Sequence, residues 1–163
     1  KPAVALTRTG VVGVLATRQT VQSSAVARLV DLYGADKRIL LQACPGLAEQ
    51  VERADLHSAE TEALLRQFIA PLLVQGADTL VLGCTHYPFL RDTIQRLVGE
   101  QVTLLDPAEA VARELARRLA DSGSLTTQTK QGAVQFFTSG DVAQAQAVIS
   151  HLWNAPLTVQ PLP

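Results

Sequence analysis

The sequence contains no methionine and only two cysteines, and aromatic residues make up 4% of its 163 residues. The two cysteines, Cys44 and Cys84, are too few for a disulfide framework or, by themselves, for a zinc site. No uninterrupted apolar run approaches the roughly 20 residues that a membrane-spanning helix needs. Fourteen basic residues against fifteen acidic ones give a net charge of −1. The basic patch that is typical of nucleic-acid or membrane binding is therefore missing, and we expect neither as a partner.

The absence of methionine extends to position 1, where Lys1 stands. We therefore expect the chain to be processed or trimmed from a longer protein. Its first residues carry one charge but neither the apolar segment nor the cleavage pattern of a secretory signal peptide. Two cysteines in an otherwise ordinary composition fit a reducing compartment, so the sequence predicts a cytoplasmic protein.

Hydrophobic residues make up 47% of the chain, and its length fits one domain or one domain plus part of another. Short apolar runs alternate with amphipathic ones. They predict strands over 11–17, 39–44, 79–84, 102–105 and 133–137, with a last extended piece at 157–159. Helices are predicted over 21–33, 47–56, 89–98 and 142–153, together with one that begins at Ser58 and one after Asp106-Pro107. This alternation is typical of an α/β fold with a largely parallel sheet.

Polar residues follow three of the predicted strands, at 17–20, 43–45 and 83–88. Ligands of open parallel sheets bind beyond the carboxyl ends of the strands, so these segments are candidate site residues. In the third segment, Cys84 precedes a helix, whose dipole and free amide groups favour a thiolate. His86 could transfer a proton, and Thr85 supplies a hydroxyl and an amide for a carboxylate.

A cysteine that ends a buried strand can instead be a packing residue, and the residues alone leave both interpretations of Cys84 open. Cys44 is followed by a Pro-Gly pair and has no base nearby, so we interpret it as structural. His57 and His151 are isolated in the sequence and are expected on the surface or at helix ends. No cluster of histidine and carboxylate residues shares one loop, so no metal site is predicted.

The segment 82–90, with the sequence LGCTHYPFL, resembles the second active-site signature of the glutamate racemases. Further similarities to this family are GVLAT at 13–17, ACP at 43–45, LLDPA at 104–108 and FFTSGD at 136–141. The resemblance covers essentially the whole chain. Within the wider aspartate/glutamate racemase superfamily, aspartate racemases usually carry Glu where His86 stands, which favours glutamate as the substrate.

The resemblance implies a parallel-sheet, three-layer αβα domain of the aspartate/glutamate racemase type. It also implies racemisation of glutamate without a cofactor, by two thiols that act on opposite faces of the α-carbon. Cys84 and His86 correspond to catalytic residues of the family, and Thr85 and His86 to residues that contact the substrate. Glu52 matches a position where the family can place an auxiliary acid. The sequence alone supports at least as well the interpretation that Glu52 is an exposed carboxylate on a helix, without a catalytic role. Such enzymes supply D-glutamate for bacterial peptidoglycan, and hence for cell-wall biogenesis and cell shape.

The sequence departs from the family in one large respect, because the motifs of the family's first half do not occur: the Asp-Ser substrate motif, the Tyr-Gly motif and the Cys-Asn-Thr motif that carries the first thiol. Cys44 does not replace it, since Pro45 follows it. We therefore expect residues 1–105 to be the second α/β domain, and residues 106–163 to return to a first domain whose body is absent. The chain alone is expected to be inactive, and its exposed surface could make it a homo-oligomer.

Three alternatives remain open at this point. The chain could belong to a racemase of another amino acid such as aspartate, or it could be a non-catalytic fragment that binds a ligand or a partner. A cysteine hydrolase that uses Cys84 and His86 has the least support, because no orienting Asp or Asn can be assigned.

Overall fold

The structure is a computed structural model that describes residues 1–34, 36–130 and 132–163. Within these ranges the strands are β1 Val11–Ala16, β2 Arg38–Ala43, β3 Thr79–Leu82, β4 Thr103–Leu105, β5 Phe136–Thr138 and β6 Val159–Pro161. The helices are α1 Pro2–Leu6, α2 Arg18–Val21, α3 Ser24–Tyr33, α4 Leu47–Glu52, α5 Ala59–Val74, α6 Arg91–Val98, α7 Ala108–Asp121 and α8 Val142–Trp153, and a 3-10 helix covers Tyr87–Leu90.

The chain divides into two compact units. The first contains Lys1–Val51 and Asp55–Ala108, and the second contains Glu52–Ala54 and Glu109–Pro163. None of the helices in the described part of the chain is both long enough and apolar enough to cross a membrane.

The first unit is built on a four-stranded sheet in the order β2-β1-β3-β4, and every neighbouring pair is parallel. Strand β1 is central, so Val12 pairs with Ile39 on one side and with Thr79 on the other. Val12 and Leu15 of this strand are almost fully buried. Strands that are buried on both faces are typical of parallel sheets covered by helices. The predicted α/β fold with a parallel sheet is confirmed.

Helix α5 begins as predicted at Ser58, whose hydroxyl accepts a hydrogen bond from the backbone N–H of Thr61 at 3.1 Å. Two acidic residues in its first turn complement the helix dipole. One face of the helix supplies core residues at helical spacing, namely Leu65, Phe68, Ile69 and Leu72.

Several predicted boundaries are wrong for local reasons. The helix predicted over 21–33 begins only at Ser24, because the hydroxyl of Ser23 accepts from the N–H of Val26 and caps α3, whereas Val21 is the last residue of the separate helix α2. The helix predicted over 47–56 ends at Glu52, and Ala54 has a φ of 57° that a continuing helix does not allow. The helix predicted from residue 89 begins earlier, as a 3-10 turn at Tyr87.

In the second unit, β5 and β6 form a parallel pair, and α8 precedes β6. The carboxylate of Asp141 accepts from the N–H of Gln144 at 2.7 Å and caps α8, whose bounds match the prediction. The unit leaves many large apolar side chains exposed: Val111, Leu115, Leu125, Val134, Phe137, Trp153 and Leu162. The predicted assignment of residues 106–163 to an absent first domain stays a prediction.

The segment before β1 is held by one carboxylate. Asp78, which is 8% exposed, precedes β3 and accepts hydrogen bonds from the Thr7 hydroxyl at 2.6 Å and from the Thr79 hydroxyl at 3.1 Å. The backbone N–H groups of Arg8 and Thr9 donate to its other oxygen at 2.7 and 3.0 Å. One side chain thereby ties the entry of β1 to the start of β3.

We expect Asp78→Asn to lower the free energy of unfolding at neutral pH by about 2 kcal/mol, because hydrogen bonds to a charged acceptor are lost. Burial opposes ionisation of Asp78, but the hydrogen bonds from Thr7, Thr9, Arg8 and Thr79 outweigh it and hold the pKa of its carboxyl well below the ordinary value. A depressed pKa stabilises the fold above the unfolded-state value of about 3.9, and this contribution is lost as the pH falls below it.

The measurement is urea unfolding of both forms from about pH 6 down to about pH 3, where the difference between them should shrink. Asp31→Asn, on the exposed surface of α3, is the matched control and should stay within about 0.5 kcal/mol of the wild type. An Asp78→Asn protein as stable as this control would contradict the assignment.

Candidate active site

The strand order places the candidate site at one edge of the sheet. The chain leaves β1 for β2 on one side and then crosses to β3 on the other, so the order reverses between β1 and β3. Ligands of open parallel sheets bind at such a switch point, beyond the carboxyl ends of the strands. The loops that follow β1 and β3 begin at Thr17 and Gly83. The two polar segments that follow these strands are therefore neighbours, as the sequence predicts.

The loop after β3 is anchored to β1 at its first residue. The N–H of Gly83 donates to the carbonyl of Leu15 at 2.7 Å. A Cβ at position 83 would stand 2.9 Å from that same carbonyl oxygen and 3.3 Å from the Cβ of Ala16. Only glycine fits without displacing the backbone, so the loop leaves the sheet at a fixed point.

Cys84 and His86 lie together in this loop. The Cys84 Sγ is 3.7 Å from the His86 Nδ1, and the N–H of Tyr87 donates to the carbonyl of Cys84 at 3.2 Å, which closes a turn. Both side chains are partly exposed, and Thr85 at the tip of the turn is exposed. A thiol beside an imidazole can exchange its proton with the ring, so the pair has the composition of an activated base. The catalytic and substrate-binding roles of these three residues stay predictions.

The neighbouring loop after β1 carries two ordered hydroxyl groups. Thr17 accepts from the N–H of Thr20 at 3.2 Å and caps α2, and the two hydroxyl oxygens are 2.9 Å apart. The free amide groups at the start of a helix favour negatively charged groups. Because β1 and β3 are adjacent, these donors lie on the same edge of the sheet as the Cys84 loop.

Cys44 follows β2 at the same edge but differs from Cys84 in its surroundings. It is 2% exposed, and its Sγ donates to the carbonyl of Gln42 at 3.4 Å. Burial raises the pKa of the Cys44 thiol to about 12, although a backbone hydrogen bond from Ala16 opposes the change. Such a thiol stays protonated at neutral pH and is a poor base. The structure therefore agrees with the structural interpretation of Cys44.

Tyr87 was not singled out from the sequence, yet it has the largest side chain among the fully buried residues. Its hydroxyl donates to the carbonyl of Cys44 at 3.2 Å. Burial raises the pKa of Tyr87, and the neighbouring Cys44, Cys84 and Glu49 add to the effect. The phenol therefore remains a proton donor in its hydrogen bond. Its position in the segment LGCTHYPFL was the one available signal, but the hydrogen-bond partner of its hydroxyl is 43 residues away in the sequence.

The remaining candidates are distributed over the surface. Glu52 ends α4 and is exposed, and its role as an auxiliary acid stays a prediction. His151 is exposed in the last turn of α8, as expected. His57 is exposed as well, but it is not isolated in space, because its Nδ1 lies 2.8 Å from the hydroxyl of the buried Thr93. Among the residues that the structure describes, no three His, Cys, Asp or Glu side chains are grouped to hold a metal ion.

The fold and the site together define the class of this protein. It is an α/β protein with a parallel sheet, and a cysteine–histidine pair lies at the edge where ligands of such sheets bind. Comparison with known proteins identifies the family within this class. A sequence model of the Asp/Glu/Hydantoin racemase family matches residues 2–115. The chain belongs to this family.

Individual relatives agree with the assignment. A glutamate racemase from Herpetosiphon aurantiacus is 50% identical over 143 residues, which are 88% of this chain and 56% of the relative. The crystal structure of a glutamate racemase isoform from Bacillus anthracis has a TM-score of 0.85 at 32% identity, covering 99% of this chain and 60% of that one. The Escherichia coli glutamate racemase in complex with L-glutamate has a TM-score of 0.81 at 28% identity, covering 99% of this chain and 61% of that one. The chain thus spans about 60% of the length of such proteins.

We expect iodoacetamide at about pH 8 to alkylate Cys84 about ten-fold or more faster than Cys44, because only the exposed thiolate reacts readily. Cys84 is partly exposed, whereas Cys44 is buried with a raised pKa. Peptide mass spectrometry over time gives the two rates. In the matched variant Cys84→Ser, labelling of the native chain should nearly disappear and should return in urea. Equal rates at the two positions in the native chain would contradict the assignment.

Proposed function

We propose that this chain is part of a glutamate racemase, an isomerase that interconverts L- and D-glutamate for peptidoglycan synthesis. The observation that carries the proposal is the Cys84–His86 pair, 3.7 Å apart, at the switch point of a racemase-family sheet. The names and identities of the relatives support glutamate as the substrate. The two free cysteines support a cytoplasmic location, where thiols stay reduced.

The chemical step needs a base on one face of the α-carbon and an acid on the other. The Cys84 thiolate takes the α-proton, so an S–H bond forms as the Cα–H bond breaks and the electron pair stays on the α-carbon and its carboxylate. An acid on the opposite face, called the second acid below, then donates a proton to the α-carbon. A single group could only return the proton to the face that it left. No electron is gained or lost overall, and no cofactor takes part in the proposed step.

The 3.7 Å distance between its Nδ1 and the sulfur supports a role for His86 in receiving and returning the proton of Cys84. Thr85, exposed at the tip of the same turn, offers its hydroxyl and amide to the substrate carboxylate. We exclude Cys44 as the second acid, because its thiol is buried and donates its hydrogen bond to the carbonyl of Gln42 at 3.4 Å. We therefore assign the second acid to the part of the longer protein outside this chain, and we expect the 163-residue chain alone to be inactive.

We expect Cys84→Ser in the longer protein to lower kcat for glutamate racemisation by about a thousand-fold, because a serine hydroxyl is a much weaker base than a thiolate. Circular dichroism of glutamate turnover measures the rate in both directions. Cys44→Ala is the matched control and should keep most of the activity. A fully active Cys84→Ser enzyme would sink the proposal, and faster turnover of D-aspartate than of D-glutamate would replace the substrate assignment.

We also propose that residues 106–163 pack against the part of the longer protein that this chain does not contain. Support comes from the apolar side chains that the second unit leaves exposed, with Val111 and Leu115 one helical turn apart on α7. Exposed apolar patches of this kind are typical of interaction surfaces. The length of the relatives leaves room for such a partner, because the chain covers 56% of the relative from Herpetosiphon aurantiacus.

We expect the isolated chain to self-associate at concentrations of tens of micromolar, because its uncovered apolar surface has no other partner. Light scattering on the wild type and on a Val111→Ser, Leu115→Ser double variant measures the effect, and the double variant should be less associated. Val74→Ser, which removes a side chain that is 88% exposed in the first unit, is the control. A compact monomer that unfolds cooperatively would contradict this proposal.

A further inference from the structure

The loop that carries the candidate site is short and is held at both ends. It begins at Gly83, which is fixed against the carbonyl of Leu15, and it ends at Tyr87, the first residue of the 3-10 helix. All three candidate side chains lie between these two residues. The geometry of the site therefore depends on what fixes the second end as well as the first.

Tyr87 fixes the second end from inside the core. Its side chain is fully buried, and its hydroxyl donates to the carbonyl of Cys44, the residue that follows β2. Strand β1 lies between β2 and β3, so this bond links the loop after β3 to a strand that is not its neighbour. The loop is consequently bonded to the carboxyl ends of both β1 and β2. These are the strands that set the position of the ligand-binding edge.

The anchor acts directly on the reacting groups. Tyr87 follows His86 in the chain, and its N–H closes the turn by donating to the carbonyl of Cys84 at 3.2 Å. The 3.7 Å contact between the sulfur and the imidazole lies inside this turn. A shift of the tyrosine would therefore change the distance between the two groups on which proton transfer depends.

Packing alone does not account for the hydroxyl. A phenylalanine would fill nearly the same volume without burying a polar group, and a buried hydroxyl is unfavourable unless it is hydrogen-bonded. Here the hydroxyl bonds to a strand-end carbonyl, not to its own loop, so it adds a directional constraint that an apolar ring lacks.

We infer that Tyr87 is a positioning residue. Its hydroxyl holds the Cys84–Thr85–His86 turn against the end of β2, so that the thiol and the imidazole stay within contact distance of each other. The inference rests on the proposed function for its kinetic consequence. It adds to that function a residue that does not touch the substrate.

The test compares Tyr87→Phe with the wild type in the longer protein, with Tyr33→Phe as the matched control, since Tyr33 is an exposed tyrosine at the end of α3. We expect Tyr87→Phe to lower kcat about ten-fold with KM changed less than about two-fold, because alignment is lost and substrate contacts are kept. The rate of iodoacetamide alkylation of Cys84 should fall about five-fold, because the imidazole is no longer held beside the sulfur to take its proton. A 3-fluorotyrosine at position 87 retains the donor, so it should restore both rates.

The decisive measurement is a double-mutant cycle with His86→Gln. If the hydroxyl acts by aligning the thiol and the imidazole, its removal should cost less than about two-fold once the imidazole is gone. Equal losses in both backgrounds, or a lowered Tm with kcat and alkylation unchanged, would overturn the inference.

Should the wild type not racemise glutamate while alkylation follows the expected pattern, the proposed function fails and the role of Tyr87 stands. Should Tyr87→Phe not fold, 4-fluorophenylalanine at position 87 takes its place, because it fills nearly the volume of tyrosine but has no O–H to donate to the carbonyl of Cys44; a lowered alkylation rate would support the inference, and an unchanged rate would overturn it.

Discussion

The pairing of β1 on both of its sides is the constraint on which the first unit depends. Strand β1 is bonded in parallel to β2 and β3, so its register fixes where both neighbours end. Gly13 in its middle has no side chain, and a Cβ there would stand 2.6 Å from Leu80 and 2.9 Å from Leu72. The core of β3 and α5 therefore closes directly onto the backbone of the central strand. The pairing of β1 with β2 and β3 therefore fixes the position of the residues at the carboxyl ends of these strands.

The two edges of the sheet have different tasks. At the amino edge, the carboxylate of Asp78 collects hydrogen bonds from the segment before β1 and has a structural role. At the carboxyl edge, Cys84, Thr85 and His86 remain partly or fully exposed on a turn that is held at one end by the backbone N–H of Gly83 and at the other by the hydroxyl of Tyr87. A backbone that is fixed at both ends and accessible side chains are thus combined in one short loop, which is what the proposed proton transfer would require.

The sequence predicts most of the first unit because its signals are local. Apolar runs predict the four parallel strands, and Ser58 predicts the start of α5 through a cap that involves only the next few residues. The break between α2 and α3 was missed because apolar periodicity continues across Ser23, where a hydroxyl cap starts a new helix. The Cys84–His86 contact follows from positions two residues apart in one turn. The bond from Tyr87 to Cys44 could not be predicted, because it depends on the register of three strands.

The contrast between the two cysteines has a consequence for the chemistry of oxidation. Peroxides attack accessible sulfur, in cysteine as the thiolate and in methionine as the thioether. The chain has no methionine, and Cys44 is shielded by the core and held as a neutral thiol. Oxidative damage to its sulfur atoms is therefore concentrated on Cys84. Cys84, the residue that we assign to proton transfer, is therefore also the residue whose oxidation would inactivate the site. The sulfur of Cys44 would stay reduced, because the fold buries it.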